Sequence, residues 1–185
     1  KMATLLGRRG KVAVLRYQEG SASTHKRETG FIEALRKIDT ITIVSDNQYG
    51  GATTESAFEK AESLLAAQNA ATGGIQGVFC PNESTTFGML LALRKANLAG
   101  KVYFVGFDAS EKLVSALKDG HISALIVQDP FKIGYESVRT MAELLAGKPI
   151  EARIDTGATV VDRANVGSPE IKNLLAPDLT PWLGK

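Results

Sequence analysis

The chain has 185 residues, 44% of them apolar, and 22 basic against 20 acidic side chains leave a net charge of +2. That suffices for one α/β domain with a real core, and it argues against a disordered chain. The basic residues are scattered and no apolar run approaches the ~20 residues that cross a bilayer, so neither a nucleic-acid partner nor a helical membrane span is expected. Cys80 stands alone, which excludes an internal disulfide framework. With His25 and His121 the only histidines, no Cys/His grouping has metal-ligand spacing, and neither a metal nor a cofactor is expected.

Lys11 to Arg16 (KVAVLR) is short and Val-rich and predicts the first strand. The small-residue loop Gly20 to Thr24 leads into a helix ending near Lys37, with Phe31, Ala34, Leu35 and Ile38 on one face. Thr40 to Ser45 (TITIVS) predicts the second strand, Asp46 to Gly51 a loop, and Thr53 or Thr54 the cap of a helix reaching about Asn69. The rhythm repeats with a strand at Ile75 to Cys80, a helix at Ser84 to Ala96, a strand at Lys101 to Phe107 and a helix at Glu111 to Lys118. A fifth strand at Ile122 to Val127 and a helix from Pro130 to near Gly147 complete it. Strands alternating with helices in this way predict an α/β fold, a three-layer αβα arrangement around an open, mainly parallel sheet.

The last forty or so residues break the rhythm. Ile150 to Asp155 alternates and Thr159 to Val161 comes next, which predicts one or two exposed strands. Ser168 followed by Pro169 opens a short helix through Leu175, a cap with proline at the first helical position. The tail PDLTPWLGK holds the only Trp and is expected to pack back onto a surface.

In a parallel sheet the C-terminal strand ends share one edge, and ligands sit in the crevice there. The polar residues just past each predicted strand therefore forecast a site. They are Gly20 to Thr24 with Lys26 and Arg27, then Asp46, Asn47, Gln48 and Tyr49, then Asn82 and Glu83, then Asp108, then Gln128 and Asp129. This set is rich in planar, bidentate hydrogen-bonding groups and poor in nucleophiles and bases. Such groups suit a polyol, because each sugar hydroxyl both donates and accepts, and an aromatic face covers the C–H side of the ring. Each residue also has a plainer role open to it. Asn82 and Asp108 could be helix caps, Arg27 a solvated helix residue, and Tyr49 surface packing.

Enzyme readings are weaker. Cys80 lies at a buried strand end with neither histidine near in sequence, and a buried cysteine is ordinarily inert. Gly7 to Gly10 (GRRG) precedes a strand where a phosphate loop would come after one. Asp46 and Asp108 could hold Mg²⁺ only with an acidic pair near the first strand, which ends instead in Arg16. No catalytic residue is expected.

Four ordered segments carry a resemblance: Gly20-Ser21 with Arg27 to Phe31, Val78 to Glu83, Val105 to Asp108, and Gln128-Asp129-Pro130. Over roughly residues 10–163 they resemble the periplasmic sugar-binding proteins of ABC transporters, in the ribose-binding class, and in particular their C-terminal lobe. Gly-Phe-Asp after a strand is shared with the effector domains of sugar-responsive LacI-type transcription regulators, the alternative function. The resemblance implies that Arg27, Asn82, Asp108 and Gln128 contact a monosaccharide, with Gln128 at the hinge between two lobes. Tyr49 is the candidate aromatic, with Asn47 or Gln48 as alternatives at that place.

It also implies partners and a location: a small-molecule sugar, the N-terminal lobe of the same protein, an ABC transporter permease, and a periplasmic or extracytoplasmic site of action. Residues 1–10 would be a remnant helix from the first lobe, 11–163 the C-terminal lobe with its hinge crossings, and 164–185 a closing helix and tail. The helix at 130–146 would pack on the first lobe, leaving an isolated lobe prone to form a homo-oligomer.

Overall fold

Successive residues of the first strand, β1 (Gly10–Arg16), go to opposite cores, as the two-residue repeat of an extended chain requires. Val12 and Val14 pack with Met2, Ile32, Leu35, Phe79 and Val105, whereas Ala13 and Leu15 pack with Leu64, Met89, Leu90 and Phe104. A sheet buried on both faces needs a helical layer on each. The computed structural model of the chain describes residues 1–183, and the final Gly184 and Lys185 of the expected tail lie outside the described residues.

On one face lie α1 (Met2–Leu5) and α2 (Ala22–Arg36); on the other lie α3 (Thr54–Ala67), α4 (Glu83–Lys95), α5 (Glu111–Lys118) and α7 (Pro169–Leu175). Between them runs one sheet in the order β2-β1-β3-β4-β5-β6, where β2 is Ile41–Tyr49, β3 Gly77–Phe79, β4 Tyr103–Phe107, β5 Ala124–Val127 and β6 Thr159–Val161. The first five are parallel, and β6 pairs antiparallel with β5. This is the expected three-layer α/β architecture. Each fully buried Leu or Phe of the two cores, such as Leu90, Leu125 and Phe104, contributes about 1.5–3 kcal/mol.

Two glycines let layers close on each other. A Cβ at Gly88 on α4 would come within 2.7 Å of the Phe58 amide nitrogen and the Ala57 Cβ on α3. A Cβ at Gly106 would overlap the methyl of Thr86. That buried Thr86 accepts from the Phe107 N–H at 3.0 Å and donates to the Phe107 carbonyl at 3.3 Å, fixing the start of α4 on the end of β4.

The structure departs from expectation in two elements. β2 does not stop at Ser45 but continues through Asp46, Asn47 and Gln48 to Tyr49. Its pairing with β1 shifts register twice, between Val12 and Ala13 and between Ala13 and Leu15. Bulges of this kind are tolerated on an edge strand, where polar side chains meet water. The alternating segment Ile150 to Asp155 forms no strand, and Ile150 and Ile154 are exposed. Only Thr159–Val161 joins the sheet, anchored by buried Val161.

Two further helices sit apart from the cores. α6 (Pro130–Leu145) has no buried residue, and its Val138 and Leu145 are 73% and 81% exposed. The tail forms α8 (Thr180–Leu183), whose Trp182 ring lies 5.5 Å from Phe131 and 5.8 Å from Tyr135. The tail thus packs against the first part of α6. At the other terminus Met2 is buried in the core, and Lys1 Nζ meets Asp162 Oδ2 at 2.5 Å.

Candidate functional site

Parallel β1, β3, β4 and β5 deliver Arg16, Pro81-Asn82, Asp108 and Gln128 to one edge of the sheet, and α2 begins beside it. At the centre is Arg27, in the second turn of α2. Its Nη1 donates to the Pro81 carbonyl at 2.9 Å and its Nη2 to Gln128 Oε1 at 2.8 Å. The guanidinium lies over the Phe107 ring, 3.8 Å from the centroid, a cation–π contact. Burial lowers the Arg27 pKa from its ordinary value, and the charge of Asp108 opposes that shift. Arg27 therefore bridges the ends of β3 and β5 and is not a solvated helix residue.

Asp108 has a φ of 71°, the left-handed region that Asp enters more readily than most residues. The turn sends its Oδ2 to the Glu83 amide, 2.8 Å away at the start of α4. Its carboxylate thus meets the positive end of α4 while facing Arg27. Oδ1 takes no hydrogen bond among the described residues. Asn82 precedes α4 but does not cap it with its side chain. Its Oδ1 accepts from Thr85 Oγ1 at 2.5 Å and its Nδ2 donates to Ser84 Oγ at 3.1 Å. Of the two expected caps, Asp108 serves a neighbouring helix, and Asn82 is locked in its own turn.

The other forecast residues fall differently. Tyr49 ends β2 and its hydroxyl accepts from Arg16 Nη1 at 3.2 Å. Asn47 is exposed on β2, and its Oδ1 accepts from Gln48 Nε2 at 3.3 Å. Among the described residues, the hydrogen bonds of Arg27 do not reach Tyr49 or Asn47. Asp46 pairs with Arg36 at 3.0 Å, near the far end of α2. Gln18 to Ala22, with His25, Glu28 and Tyr49, line a cavity of about 340 Å³ beside the strand ends. A second cavity of about 320 Å³ is lined by Asp108 and Gln128 with Leu174 and Leu175 of α7.

Sequence reasoning missed the partners that hold this edge together: Phe107 beneath Arg27, the Pro81 carbonyl, and the pair of Arg16 with buried Glu28. A charged residue ending a buried strand was the one available signal for Arg16. No group of His, Cys, Asp or Glu among the described residues could hold a metal ion. Burial pushes the Cys80 thiol well above its ordinary pKa, so it offers no thiolate. The edge presents fixed charges and amides for hydrogen bonding.

Residues 1–149 match the family described as periplasmic binding protein domain. The chain belongs to this family. Relatives in it include the ribose import binding protein RbsB of Haemophilus influenzae, 30% identical over 164 residues, covering 86% of this chain and 52% of that protein. The D-allose-binding periplasmic protein of Escherichia coli is 26% identical over 72% of this chain and 42% of its own length. Among solved structures, the periplasmic component of an ABC-type sugar transport system from Hahella chejuensis is 40% identical with a TM-score of 0.80, covering 87% of this chain and 57% of that one. A solute binding protein of an ABC transporter from Agrobacterium vitis, solved with bound D-fucose, is 34% identical with a TM-score of 0.86, covering 94% of this chain and 58% of that one. The chain spans about half the length of the curated relatives it matches. No helix among the described residues is long and apolar enough to cross a membrane.

Proposed function

We propose that this chain supplies one lobe of a sugar receptor serving an ABC-type importer, acting outside the cytoplasm and handing its ligand to a membrane permease. The observation that carries the reading is Arg27, held between the Pro81 carbonyl and Gln128 and faced by Asp108. A fixed guanidinium beside a carboxylate with a free oxygen grips neighbouring hydroxyls from two sides. Asn82 and Gln128 add amides, and Tyr49, with Asn47 beyond it, forms the outer wall. The work is binding, not catalysis. Relatives named for ribose, allose and ABC sugar transport favour this reading over the effector domain of a LacI-type regulator.

In this proposal residues 11–163 are the C-terminal lobe, preceded by chain arriving from the other lobe and followed by a closing helix and tail. α6 turns its exposed face toward that other lobe, and the sugar lies between the two. Enclosure matters energetically, because a hydrogen bond strengthens when water is excluded. One wall alone offers exposed contacts netting about 0.5–1.5 kcal/mol each, which after the cost of immobilising the ligand leaves roughly millimolar binding.

Calorimetric titration of the full-length protein with D-ribose, D-allose and D-fucose tests this. At least one sugar is expected to bind, and Arg27→Ala or Asp108→Ala is expected to weaken it by about 2–4 kcal/mol, since each leaves a buried partner unpaired. Affinity unchanged in both variants would mean these side chains only brace helices.

A further inference from the structure

Glu28 is 2% exposed, an unusual state for a carboxylate, and it lies one residue from Arg27 on α2. Its Oε1 accepts from the Tyr17 amide at 3.0 Å. Its Oε2 stands 3.8 Å from Arg16 Nε, a charge pair too long to be a hydrogen bond. That Nε is itself buried and has no hydrogen-bond partner, so Glu28 is what compensates it. At its other end Arg16 donates from Nη1 to the Tyr49 hydroxyl, and its guanidinium carbon lies 5.7 Å from the Tyr49 ring centroid. The main chain repeats the connection, with Gly50 N bonded to the Arg16 carbonyl at 2.8 Å.

The three side chains form a relay from α2 through the end of β1 to the end of β2. Its need is visible in the surroundings. Tyr49 and Glu28 both line the cavity of about 340 Å³ beneath the loop from Gln18 to Ser21, and that cavity is roomy enough for the tyrosine ring. Here β2 is paired in register with β1, Tyr49 opposite Arg16, which fixes the backbone of Tyr49 and leaves the direction of its ring to side-chain contacts.

We infer that Arg16 and Glu28 are positioning residues that tether the Tyr49 ring at the ligand crevice and keep it out of the adjacent cavity. The inference rests on the sugar-binding reading for its consequence, but not for the tether itself. Glu28 fixes the direction of Arg16, and Arg16 fixes the phenol. With the ring held at the rim, its face is available before ligand arrives and no ordering of it is left to the binding step. The same carboxylate also holds α2 to the end of β1 through Tyr17, so the placements of Arg27 and Tyr49 share one buried anchor.

The test has two arms on the full-length protein. In the first, ring-labelled tyrosine is observed by NMR without ligand, and the signal lost in Tyr49→Phe identifies Tyr49. Arg16→Met is expected to shift and broaden that signal while those of Tyr103 and Tyr135 stay in place, and Glu28→Gln, which keeps an acceptor for the Tyr17 amide, is expected to do so more weakly. An unmoved Tyr49 signal in Arg16→Met overturns the tether. In the second arm, D-ribose, D-allose and D-fucose affinities are measured for Arg16→Met, Tyr49→Phe and the pair combined. Each single variant is expected to weaken binding about fivefold, and the combination also about fivefold, because both cut the same link. A combined loss near the product of the two singles overturns the shared role. If the parent binds none of these sugars, the sugar-binding reading fails for them and the NMR arm still decides the tether.

Discussion

The strand-end cluster around Arg27 and the helix α6 are opposite kinds of surface. At the strand ends a guanidinium, a carboxylate and two amides are already engaged, with Arg27 bonded to Pro81 and Gln128 and Asp108 bonded to Glu83. Along α6, by contrast, apolar residues are left largely uncovered, and Val138, Met141, Leu144 and Leu145 are all exposed. Polar groups that cannot find water when a site closes are paired in advance, whereas apolar groups wait for the surface that completes them. A self-sufficient site edge beside an uncovered helix is the combination that the proposed lobe of an enclosing receptor calls for.

The largest effect expected from this contrast concerns α6. This chain alone is expected to self-associate through α6, and Val138→Lys with Leu145→Lys is expected to weaken that association about a hundredfold, ~3 kcal/mol. Sedimentation over a dilution series measures it, and a chain that stays monomeric before any substitution removes the premise. A smaller effect belongs to the strand ends. Asp108→Ala loses both the bond to the Glu83 amide and a residue suited to a φ of 71°, a cost of about 1–2 kcal/mol in thermal or chemical unfolding. Asp108→Asn keeps both and is expected to remain near the parent, with Asp108→Gly between them. An Ala variant as stable as the Asn variant would deny that the turn is a strained, capped one.

The smallest effect is a pH dependence. The hydrogen bond from Lys1 lowers the Asp162 pKa below its ordinary value, with burial opposing and the Ala164 and Asn165 amides assisting. A carboxylate with a depressed folded pKa contributes stability that is fully present above its unfolded value, about 3.9, and is lost as pH falls through the folded value. Asp162→Asn should therefore reduce stability by no more than about 1 kcal/mol at neutral pH and by nothing in strong acid. Denaturant unfolding at both pH values checks this, and a deficit that persists in acid would point to packing and not to charge.

The fold was legible because each β-strand is a short β-branched or aromatic run ended by a turn signal, and each core helix carries an apolar face. β2 was cut short in prediction since Asp46, Asn47 and Gln48 look like loop residues, and only their place on a sheet edge makes them acceptable in a strand. Ile150 to Asp155 misled in the other direction, because alternation alone cannot supply a pairing partner. Within the candidate site, Asn82, Asp108 and Gln128 were reachable from their positions just past predicted strands, and Arg27 from the start of the helix that follows the first strand. Phe107, Arg16 and Glu28 were not, since their importance lies in contacts between elements distant in sequence. Nothing in the string distinguishes Glu28 from a solvated helix glutamate, yet it is among the most buried charged groups described.

Gly106 and Thr86 constrain how this lineage can vary. A side chain at position 106 would collide with the Thr86 methyl, and Thr86 cannot simply shrink, because its hydroxyl satisfies the buried Phe107 backbone on both sides. The two positions are therefore coupled: Gly106→Ala is deleterious alone, and Thr86→Ser, which drops the methyl, is expected to recover part of that loss, since the hydroxyl at 3.0 Å and Leu125 Cδ2 at 3.3 Å still crowd the new Cβ. A library randomised at both positions and selected for folding would display this as a coupled pair of columns, and free recovery of Gly106→Ala beside an unchanged Thr86 would refute it. Neither residue carries a charge, yet their contact fixes the Phe107 backbone from which Asp108 follows.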